Sequence, residues 1–228
     1  MVEKRYMKNL EALSEDDQAK LLESKVCVIG CGGLGGYIIE ILSRLGVGTI
    51  TAVDGDVFDE TNLNRQILSE MNLIGKKKAL AAQDRVLRVN PEVKLLPITE
   101  FVNRDNAADI IQGHDIVIDA LDNPKDRLLI KDTCKDLDMI LIHGAIGGWF
   151  GQVSVVTPDD TVLEDMYGKA DHPLVSHLGN PSFVPPVVAS IEVSECVKIL
   201  TGKGNPLKGK VLSIDLLENE FEIINFGK

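Results

Sequence analysis

A glycine-rich turn between an apolar strand and an apolar helix is the feature that most restricts how this chain can fold. Residues 25–30, KVCVIG, form an uninterrupted apolar run, typical of strands buried on both faces of a parallel sheet. A turn with the spacing G-x-G-G-x-G follows, and apolar residues then recur at helical intervals up to Leu45. Such a turn brings backbone amides and a helix N-terminus to an anion. The pattern predicts an α/β fold with a phosphate-binding turn, which fits a dinucleotide as well as ATP, at Gly30, Gly32, Gly33 and Gly35.

The rest of the chain alternates segments that resemble strands and helices. Further strands are predicted at residues 49–54, 94–101, 114–123 and 139–146, with helical patterns between them. This alternation is typical of a doubly wound, mostly parallel, Rossmann-like sheet. Pro97 favours an edge position for the third strand, because proline cannot donate to a strand ladder. After Gly147, apolar and polar residues alternate, which predicts an antiparallel C-terminal extension.

We expect one domain, residues 1–228, with three parts. Residues 1–24 form an N-terminal helical segment, with Ser14 as the helix cap, and residues 25–146 form the nucleotide-binding core. Residues 147–228 form a crossover loop and an antiparallel C-terminal lobe. Within this lobe, residues 159–186 show little periodicity, and loops of that length are often functional. His172 and His177 lie in this loop, where they could contact a partner.

Composition and charge exclude several classes of protein. The net charge is −11, from 24 basic and 35 acidic residues, which disfavours binding to nucleic acid or to an anionic membrane surface. No apolar run is long enough to span a bilayer, and the charged N-terminus does not resemble a signal peptide. We therefore expect a cytoplasmic protein. The chain contains 4 cysteines, none in C-x-x-C spacing, which argues against disulfides and a zinc ribbon.

Polar residues after the second strand favour a triphosphate over a nicotinamide dinucleotide. Asp54 ends that strand, where its carboxylate can hold ribose hydroxyls in either kind of site. The segment VDGDVFDETNLNRQIL then adds Asn62, Asn64 and Arg65, and Lys78 starts the next helix. Arginine offers paired donors to phosphate oxygens and can neutralise a leaving pyrophosphate. Taken singly, Arg65 could be a surface ion pair and Lys78 a solvated lysine.

At this point the sequence resembles the MoeB/ThiF/HesA family, relatives of ubiquitin-activating enzymes. The resemblance covers nearly the whole chain and rests on these segments: RYMKNL from Arg5, VIGCGGLGG from Val28, VDGDVFDETNLNRQ from Val53, IGKKKA from Ile74, VIDALDNPKDR from Val117 and VPPVVASIEVSECVKIL from Val184. It implies an adenylyltransferase that uses ATP and Mg²⁺. The activated group is the C-terminal glycine carboxylate of a ubiquitin-like sulfur carrier, and pyrophosphate is released.

The resemblance also implies roles for individual residues. Arg65, Lys78 and Asp122 would be the catalytic residues, and Asp122 would hold magnesium. Asp119 is better interpreted as a buried structural acid. The residues implied to contact ATP are Gly30, Gly32, Gly33, Gly35, Asp54, Asp56, Asn62, Arg65, Gln66, Lys78, Leu121, Asp122, Asn123 and Arg127.

The family resemblance further implies partners. The carrier protein would end in Gly-Gly, and a homodimer would bring Arg5 and Lys8 to the phosphates of the neighbouring subunit. Lys8 stands where the family usually has arginine, so weaker contact is expected. Residues 159–186 contain no cysteine, unlike those relatives that bind the carrier covalently. We therefore expect the reaction to stop at the acyl-adenylate, with sulfur supplied by a donor such as a cysteine desulfurase.

Three alternatives stay open on the sequence. The substrate could be a short peptide or another carboxylate, because nothing in the motifs excludes it. A non-catalytic regulatory module that binds a nucleotide is disfavoured by the intact set of Asp54, Arg65, Lys78 and Asp122. A dehydrogenase would leave Arg65, Lys78 and Asp122 without a role. The pathway, whether for thiamine, molybdopterin, cysteine or another sulfur product, is not determined.

Overall fold

The structure, a computed structural model, describes residues 2–167 and 178–226. Eight strands form one sheet in the order β3-β2-β1-β4-β5-β6-β7-β8. The strands β1 to β5 are parallel, and β6, β7 and β8 continue the sheet in antiparallel register. The predicted α/β fold with a C-terminal antiparallel extension is confirmed, and β3, with Pro97, is an edge strand. The strands are β1 Lys25–Ile29, β2 Thr49–Val53, β3 Lys94–Ile98, β4 Ile116–Asp119, β5 Leu141–Gly147, β6 Phe150–Val156, β7 Lys210–Asp215 and β8 Glu220–Asn225.

Seven α-helices in the described residues cover the sheet, and local signals set several of their ends. Ser14 and Asp17 form a capping box at the first helix. Gly46 and Gly202, both at positive φ, end the second and seventh helices. Within this part of the chain no helix is long and apolar enough to cross a bilayer. The helices are α1 Glu15–Glu23, α2 Gly33–Leu45, α3 Lys78–Val89, α4 Ala107–Ile111, α5 Pro124–Asp136, α6 Val162–Tyr167 and α7 Val184–Thr201.

The segment 159–186 differs from the expectation of an unstructured loop. It contains the short helix α6, in which Val162 and Leu163 are buried, and its last residues begin α7. Two adjacent buried residues are too short a pattern to predict this helix from the sequence. The middle of the segment, with His172 and His177, lies outside the described residues.

Two apolar clusters lie on opposite faces of the sheet. One joins α1, α2, α3 and α7 to residues such as Val28, Ile118 and Ile142. The other joins α4, α5 and α6 to residues such as Ile29 and Val117. Neighbouring residues of one strand, such as Val117 and Ile118, thus enter different clusters, as the period of two requires. Because both faces are covered, the central strands β1, β4 and β5 are mostly apolar and almost wholly buried.

The strand order places a crevice between β1 and β4. The connection after β1 leads towards β2 and β3, whereas β4 and β5 lie on the other side of β1. In open sheets of this kind ligands bind outside the carboxyl ends of the strands at such a point. The glycine turn follows β1 there, and residues 120–123 follow β4. The topology therefore brings the two most informative sequence motifs to one edge of the sheet.

Helix α7 buries a carboxyl group that the sequence did not mark as unusual. Glu192 is 0% exposed, and neither of its carboxyl oxygens has a hydrogen-bond partner. The carboxyl lies over Gly144 of β5, where a Cβ atom would come within 2.3 Å of it. Burial, and secondarily the charge of Asp119, raises the pKa of Glu192 well above the ordinary value of 4.5. The glutamate is therefore stable in this position as a neutral acid.

We predict that Glu192→Gln removes a pH dependence of stability. A folded-state pKa above the unfolded value of 4.5 means that the contribution of Glu192 to stability is greatest below that pH. This contribution falls as the pH rises towards the folded pKa, by at most about 1.4 kcal/mol per pH unit. We measure urea unfolding at pH 5, 6.5 and 8 by Trp149 fluorescence. The free energy of unfolding of the variant, relative to that of the wild type, should increase as the pH rises. Glu220→Gln, on the exposed strand β8, is the control; parallel profiles for all three proteins would contradict the prediction.

Candidate nucleotide site

A cleft of about 930 Å³ opens at the carboxyl ends of the parallel strands. Its walls come from the turns after β1, β2 and β4, from β5 and β6, and from the C-terminal strands. Among the residues implied by the sequence to contact ATP, those lining the cleft are Gly30, Gly32, Gly33, Asp54, Asp56, Arg65, Gln66, Lys78, Leu121, Asp122, Asn123 and Arg127. Gly35, Asn62, Arg5 and Lys8 are not among its lining residues.

The glycine turn is built by close approach of backbone atoms. Gly30 has a φ of +100°, and a Cβ atom there would lie 2.6 Å from the carbonyl oxygen of Ala120. A Cβ atom on Gly35 would lie 1.8 Å from the carbonyl oxygen of Gly30. Gly35 therefore allows α2 to pack onto the turn rather than lining the cleft. Gly33, the first residue of α2, faces the cleft, where the unpaired amides of the helix start are available to an anion.

Asp54 fixes the turns on both sides of it. One of its carboxylate oxygens accepts from the amide of Cys31 at 2.8 Å, and the other accepts from the amide of Asp56 at 2.8 Å. The carboxylate thus holds the glycine turn at the end of β1 against the end of β2. Although Cys31 lies within the glycine turn, its side chain is fully buried in the core beside α2. Only the Cys31 amide is turned towards Asp54.

Lys78 begins α3 and is only 6% exposed. Its ammonium donates to Asp56 at 2.6 Å, and this hydrogen bond lowers the pKa of Asp56. The neighbouring Lys77 donates to the carbonyl oxygen of Gly55. A cation that is nearly buried and balanced by one exposed carboxylate can exchange that partner for a phosphate at little extra desolvation cost.

Arg65 and Gln66 reach the cleft from the segment after β2. Nη1 of Arg65 donates to the carbonyl oxygen of Thr61 at 3.0 Å and to Oδ1 of Asn64 at 2.9 Å, which orients the guanidinium. Gln66 is 6% exposed, and its Oε1 is buried without a hydrogen-bond partner. Asn62 stays outside the cleft because its Oδ1 accepts from the amide of Asp59 in a local capping box.

The turn after β4 supplies residues with different environments. Asp122 is exposed at the rim of the cleft. Asn123 caps α5 by accepting from the amide of Asp126 at 2.9 Å. Arg127 is only 6% exposed, and its Nε and Nη2 donate to the carbonyl oxygen of Leu121 at 3.2 and 2.5 Å. The guanidinium of Arg127 therefore stabilises the protein backbone at the cleft floor instead of extending into the cleft.

Several cleft residues were not predicted from the sequence. Phe101 follows β3, is 69% exposed, and lies against Gly55, where a Cβ atom would be 2.6 Å from its ring. Its position after a parallel strand could have suggested it. Tyr167 and Gln152, by contrast, enter through α6 and the antiparallel strand β6, for which no motif exists. The remaining wall from the C-terminal strands consists of Val211, Ser213, Ile224 and Phe226.

The two basic residues predicted to act across a dimer lie away from this cleft. Arg5 donates to Oδ1 of Asn90 at 2.6 Å and pairs with Glu3 at 3.1 Å. It lines a separate open groove with Lys4 and Arg44, and Lys8 is exposed nearby in the chain. Within one chain neither residue reaches the cleft, so contact with a nucleotide would require a second copy.

Relatives of this chain include named adenylyltransferases. It is 32% identical over 228 residues to the SAMP-activating enzyme E1 of Haloferax volcanii, covering 97% of this chain and 84% of that protein. It is 36% identical over 232 residues to a probable molybdopterin-synthase adenylyltransferase of Pyropia yezoensis, covering 97% of this chain but 61% of that protein. A third, 33% identical over 224 residues, is the sulfur carrier protein adenylyltransferase of Thermus thermophilus, covering 93% of this chain and 82% of that protein.

Solved structures show the same fold. The crystal structure of E. coli MccB with ATP matches with a TM-score of 0.86 at 20% identity, covering 100% of this chain and 72% of that one. The sequence matches the pattern of the ThiF family over residues 4–228. This agrees with the resemblance inferred from the motifs. The chain belongs to the ThiF family.

Proposed function

We propose that this protein adenylates the C-terminal glycine carboxylate of a ubiquitin-like sulfur-carrier protein, with ATP as the other substrate and release of pyrophosphate. One observation carries the proposal: a glycine turn, a ribose-type acid, two cations and an exposed acid converge on one cleft. The residues are Gly33, Asp54, Arg65, Lys78 and Asp122. The names of the relatives from Haloferax and Thermus, a SAMP-activating enzyme and a sulfur carrier protein adenylyltransferase, support the same activity.

The cleft fits ATP in its chemistry as well as its size. The free amides around Gly33 suit a phosphate, and the unpaired Oε1 of buried Gln66 needs a donor that a nucleotide or its water shell can supply. In this arrangement Asp54 faces the ribose, and Lys78 and Arg65 contact the phosphates. Magnesium usually takes one or two carboxylates together with substrate phosphates, and the exposed Asp122 fits that role. When bound, magnesium would offset charge on the phosphates.

The reaction requires positioning and charge neutralisation rather than a protein nucleophile. The carrier carboxylate is ionised near neutral pH and attacks the α-phosphorus. The bond between that phosphorus and the oxygen that bridges the α- and β-phosphates breaks, and pyrophosphate leaves. Both reactants are anions, so the cations must offset their repulsion and the charge that grows on the leaving group. Arg65 and Lys78 supply that charge, and no general base is needed.

The carrier tail can enter along the C-terminal strands. Val211 and Ser213 of β7 and Ile224 of β8 line the same cleft as the glycine turn. Strand β8 is exposed along its length, including Phe221 and Ile223. A carrier seated against this strand could extend a flexible Gly-Gly end to the phosphates, and glycines suit a narrow route because they have no side chain.

The proposal includes a homodimer in which Arg5 and Lys8 of one subunit face the cleft of the other. Within one chain, Arg5 is hydrogen-bonded to Asn90 and forms an ion pair with Glu3. This ion pair is not buried, so the guanidinium is positioned and still available to an anion of the other subunit. Sedimentation at micromolar concentration checks the assembly; a monomer that retains full activity would contradict a shared site.

ATP–pyrophosphate exchange tests the proposed function. Purified protein with Mg²⁺, ATP and labelled pyrophosphate should exchange label only when a carrier ending in Gly-Gly is added. The same carrier without its last two glycines is the matched control and should give no exchange. Exchange with a short peptide and not with carriers would contradict the carrier substrate. Absence of exchange with every carboxylate, despite ATP binding, would contradict adenylation.

We predict that the enzyme forms no covalent bond with its carrier. The segment 159–186 lacks cysteine, and all four cysteines are buried. Burial raises the pKa of the Cys27, Cys31 and Cys196 thiols, and that of Cys134 to about 12, which disfavours the thiolate. Enzyme, carrier and MgATP should therefore show no joined band on a non-reducing denaturing gel. A hydroxylamine-sensitive or reducible band lost in Cys196→Ser or Cys31→Ser would contradict this.

A further inference from the structure

The hydroxyl of Tyr167 joins four elements at the floor of the cleft. Tyr167 is the last described residue of α6. Its hydroxyl lies 2.8 Å from Nη1 of Arg127 on α5, 2.5 Å from Nε2 of Gln152 on β6 and 3.0 Å from Nε2 of His143 on β5. The guanidinium of Arg127 also faces the Tyr167 ring at 5.4 Å from its centroid. One oxygen atom therefore has three polar partners.

Counting donors assigns the proton positions in this cluster. The guanidinium of Arg127 and the amide nitrogen of Gln152 can only donate, and a phenol oxygen accepts two hydrogen bonds and donates one. With the amide nitrogen of Gln152 facing the hydroxyl, the phenol proton points to Nε2 of His143, which accepts it. The histidine proton then resides on Nδ1, which lies 2.7 Å from Oδ2 of Asp119 and donates to it. The geometry selects one neutral tautomer of His143.

Burial is consistent with this assignment. His143 and Asp119 are both 0% exposed. Desolvation lowers the pKa of His143, although the hydrogen bond to Asp119 acts in the opposite sense, so the ring is neutral near pH 7. Desolvation also raises the pKa of Tyr167, which keeps its proton available for the histidine.

Both branches of the cluster end on the backbone of Leu121. Through His143, Tyr167 orients Asp119, whose Oδ1 accepts from the Leu121 amide at 2.9 Å. Through Arg127, it orients the donors to the Leu121 carbonyl oxygen at 3.2 and 2.5 Å. The two polar groups of Leu121 are thus held from below. The next residue is Asp122, the exposed acid at the cleft rim.

We infer that Tyr167 is a positioning residue: its hydroxyl fixes His143 and Arg127, and through them the turn that presents Asp122 to the nucleotide. We call the hydrogen bonds that hold the Leu121 backbone the clamp. The catalytic effect of the clamp rests on the proposed function, but the clamp itself is a property of the fold. Helix α6 is tied to α5 by the ion pair of Lys131 with Glu164 and by the buried Leu163. The position of α6 is therefore coupled to the geometry of the nucleotide turn.

Two measurements on the full chain test the clamp without reference to activity. Long-range ¹⁵N–¹H spectra of the wild type should show His143 protonated on Nδ1 and unprotonated on Nε2. In Tyr167→Phe, which keeps the ring and removes the hydroxyl, the amide of Leu121 should exchange with solvent at least about tenfold faster. Tyr37→Phe on α2 is the control and should leave the Leu121 amide unchanged.

A kinetic measurement tests the catalytic consequence. With a Gly-Gly carrier, Tyr167→Phe should lower kcat for exchange by about tenfold, and the apparent KM for ATP should change less than about twofold, since misplacement affects the reacting geometry more than uniform binding. A purely structural role would instead lower the active fraction, which ATP titration of the folded protein reports.

Each outcome decides a separate point. A His143 ring protonated on Nε2, or an unchanged Leu121 exchange rate in Tyr167→Phe, would overturn the clamp. Faster Leu121 exchange with unchanged kcat would overturn its catalytic role. If the wild type exchanges label with no carrier, the proposed function fails, and the spectra still decide the clamp.

Discussion

We expect Asp122→Asn to lower carrier-dependent ATP–pyrophosphate exchange by about a hundredfold or more, on the scale of removing a ligand to a charge-stabilising metal. The physical reason is its place at the cleft rim, next to Leu121, where an exposed carboxylate lies at the edge of the proposed phosphate site. An amide keeps the size of the side chain and loses the negative charge that a magnesium ion requires.

The fold should tolerate this change because the side chain is exposed. Exchange is measured over a range of Mg²⁺ concentrations, and thermal unfolding is recorded in parallel. Asp136→Asn, an equally exposed change at the end of α5, is the control and should retain wild-type exchange. Retention of more than about a tenth of wild-type exchange by Asp122→Asn would be incompatible with a metal ligand, given the size of such effects.

We expect Arg65→Ala to lower the exchange rate at saturating ATP by roughly a hundredfold, the usual effect of removing one preorganised charge donor. The guanidinium lines the cleft and is oriented by Thr61 and Asn64, so little reorganisation is needed when charge grows on the leaving pyrophosphate. Arg65→Lys keeps the charge but loses the paired donors, and its rate should lie between those of Arg65→Ala and the wild type.

The control for Arg65 is Arg104→Ala. Arg104 is an exposed arginine in the turn after β3 and does not line the cleft, so its removal should leave exchange unchanged. Initial rates are measured against ATP concentration for all four proteins. A rise in KM for ATP with unchanged kcat would make Arg65 a binding residue, contrary to the proposed role in the transition state.

Much of the fold followed from signals within short segments. The apolar run of β1, the glycine turn and the helix of α2 are adjacent in sequence, and their geometry is set by neighbours along the chain. Ser14 formed its predicted cap with Asp17. Pro97 correctly indicated that β3 is an edge strand, because proline has no backbone N–H to donate to a second neighbouring strand.

The composition of the cleft was also largely predictable, for a topological reason. Asp54 and Asp122 lie shortly after the parallel strands β2 and β4. The carboxyl ends of such strands meet at one edge of the sheet. Helix α3 then brings Lys78 to the same edge. Residue type and strand order were sufficient to bring these groups together, although not to give their partners or exposure.

The sequence by itself determined the α/β fold, the phosphate-type turn and the set of charged residues near it, because these depend on local periodicity, on glycine geometry and on strand order. The tertiary structure alone decided which polar groups face the cleft and which stabilise the protein. Arg127 turns inward to Leu121, Gly35 packs against Gly30, Glu192 is buried over Gly144, and Tyr167 reaches His143 from a short helix. These outcomes depend on hydrogen-bond partners and burial contributed by segments far apart in the chain, which no short pattern of residues encodes.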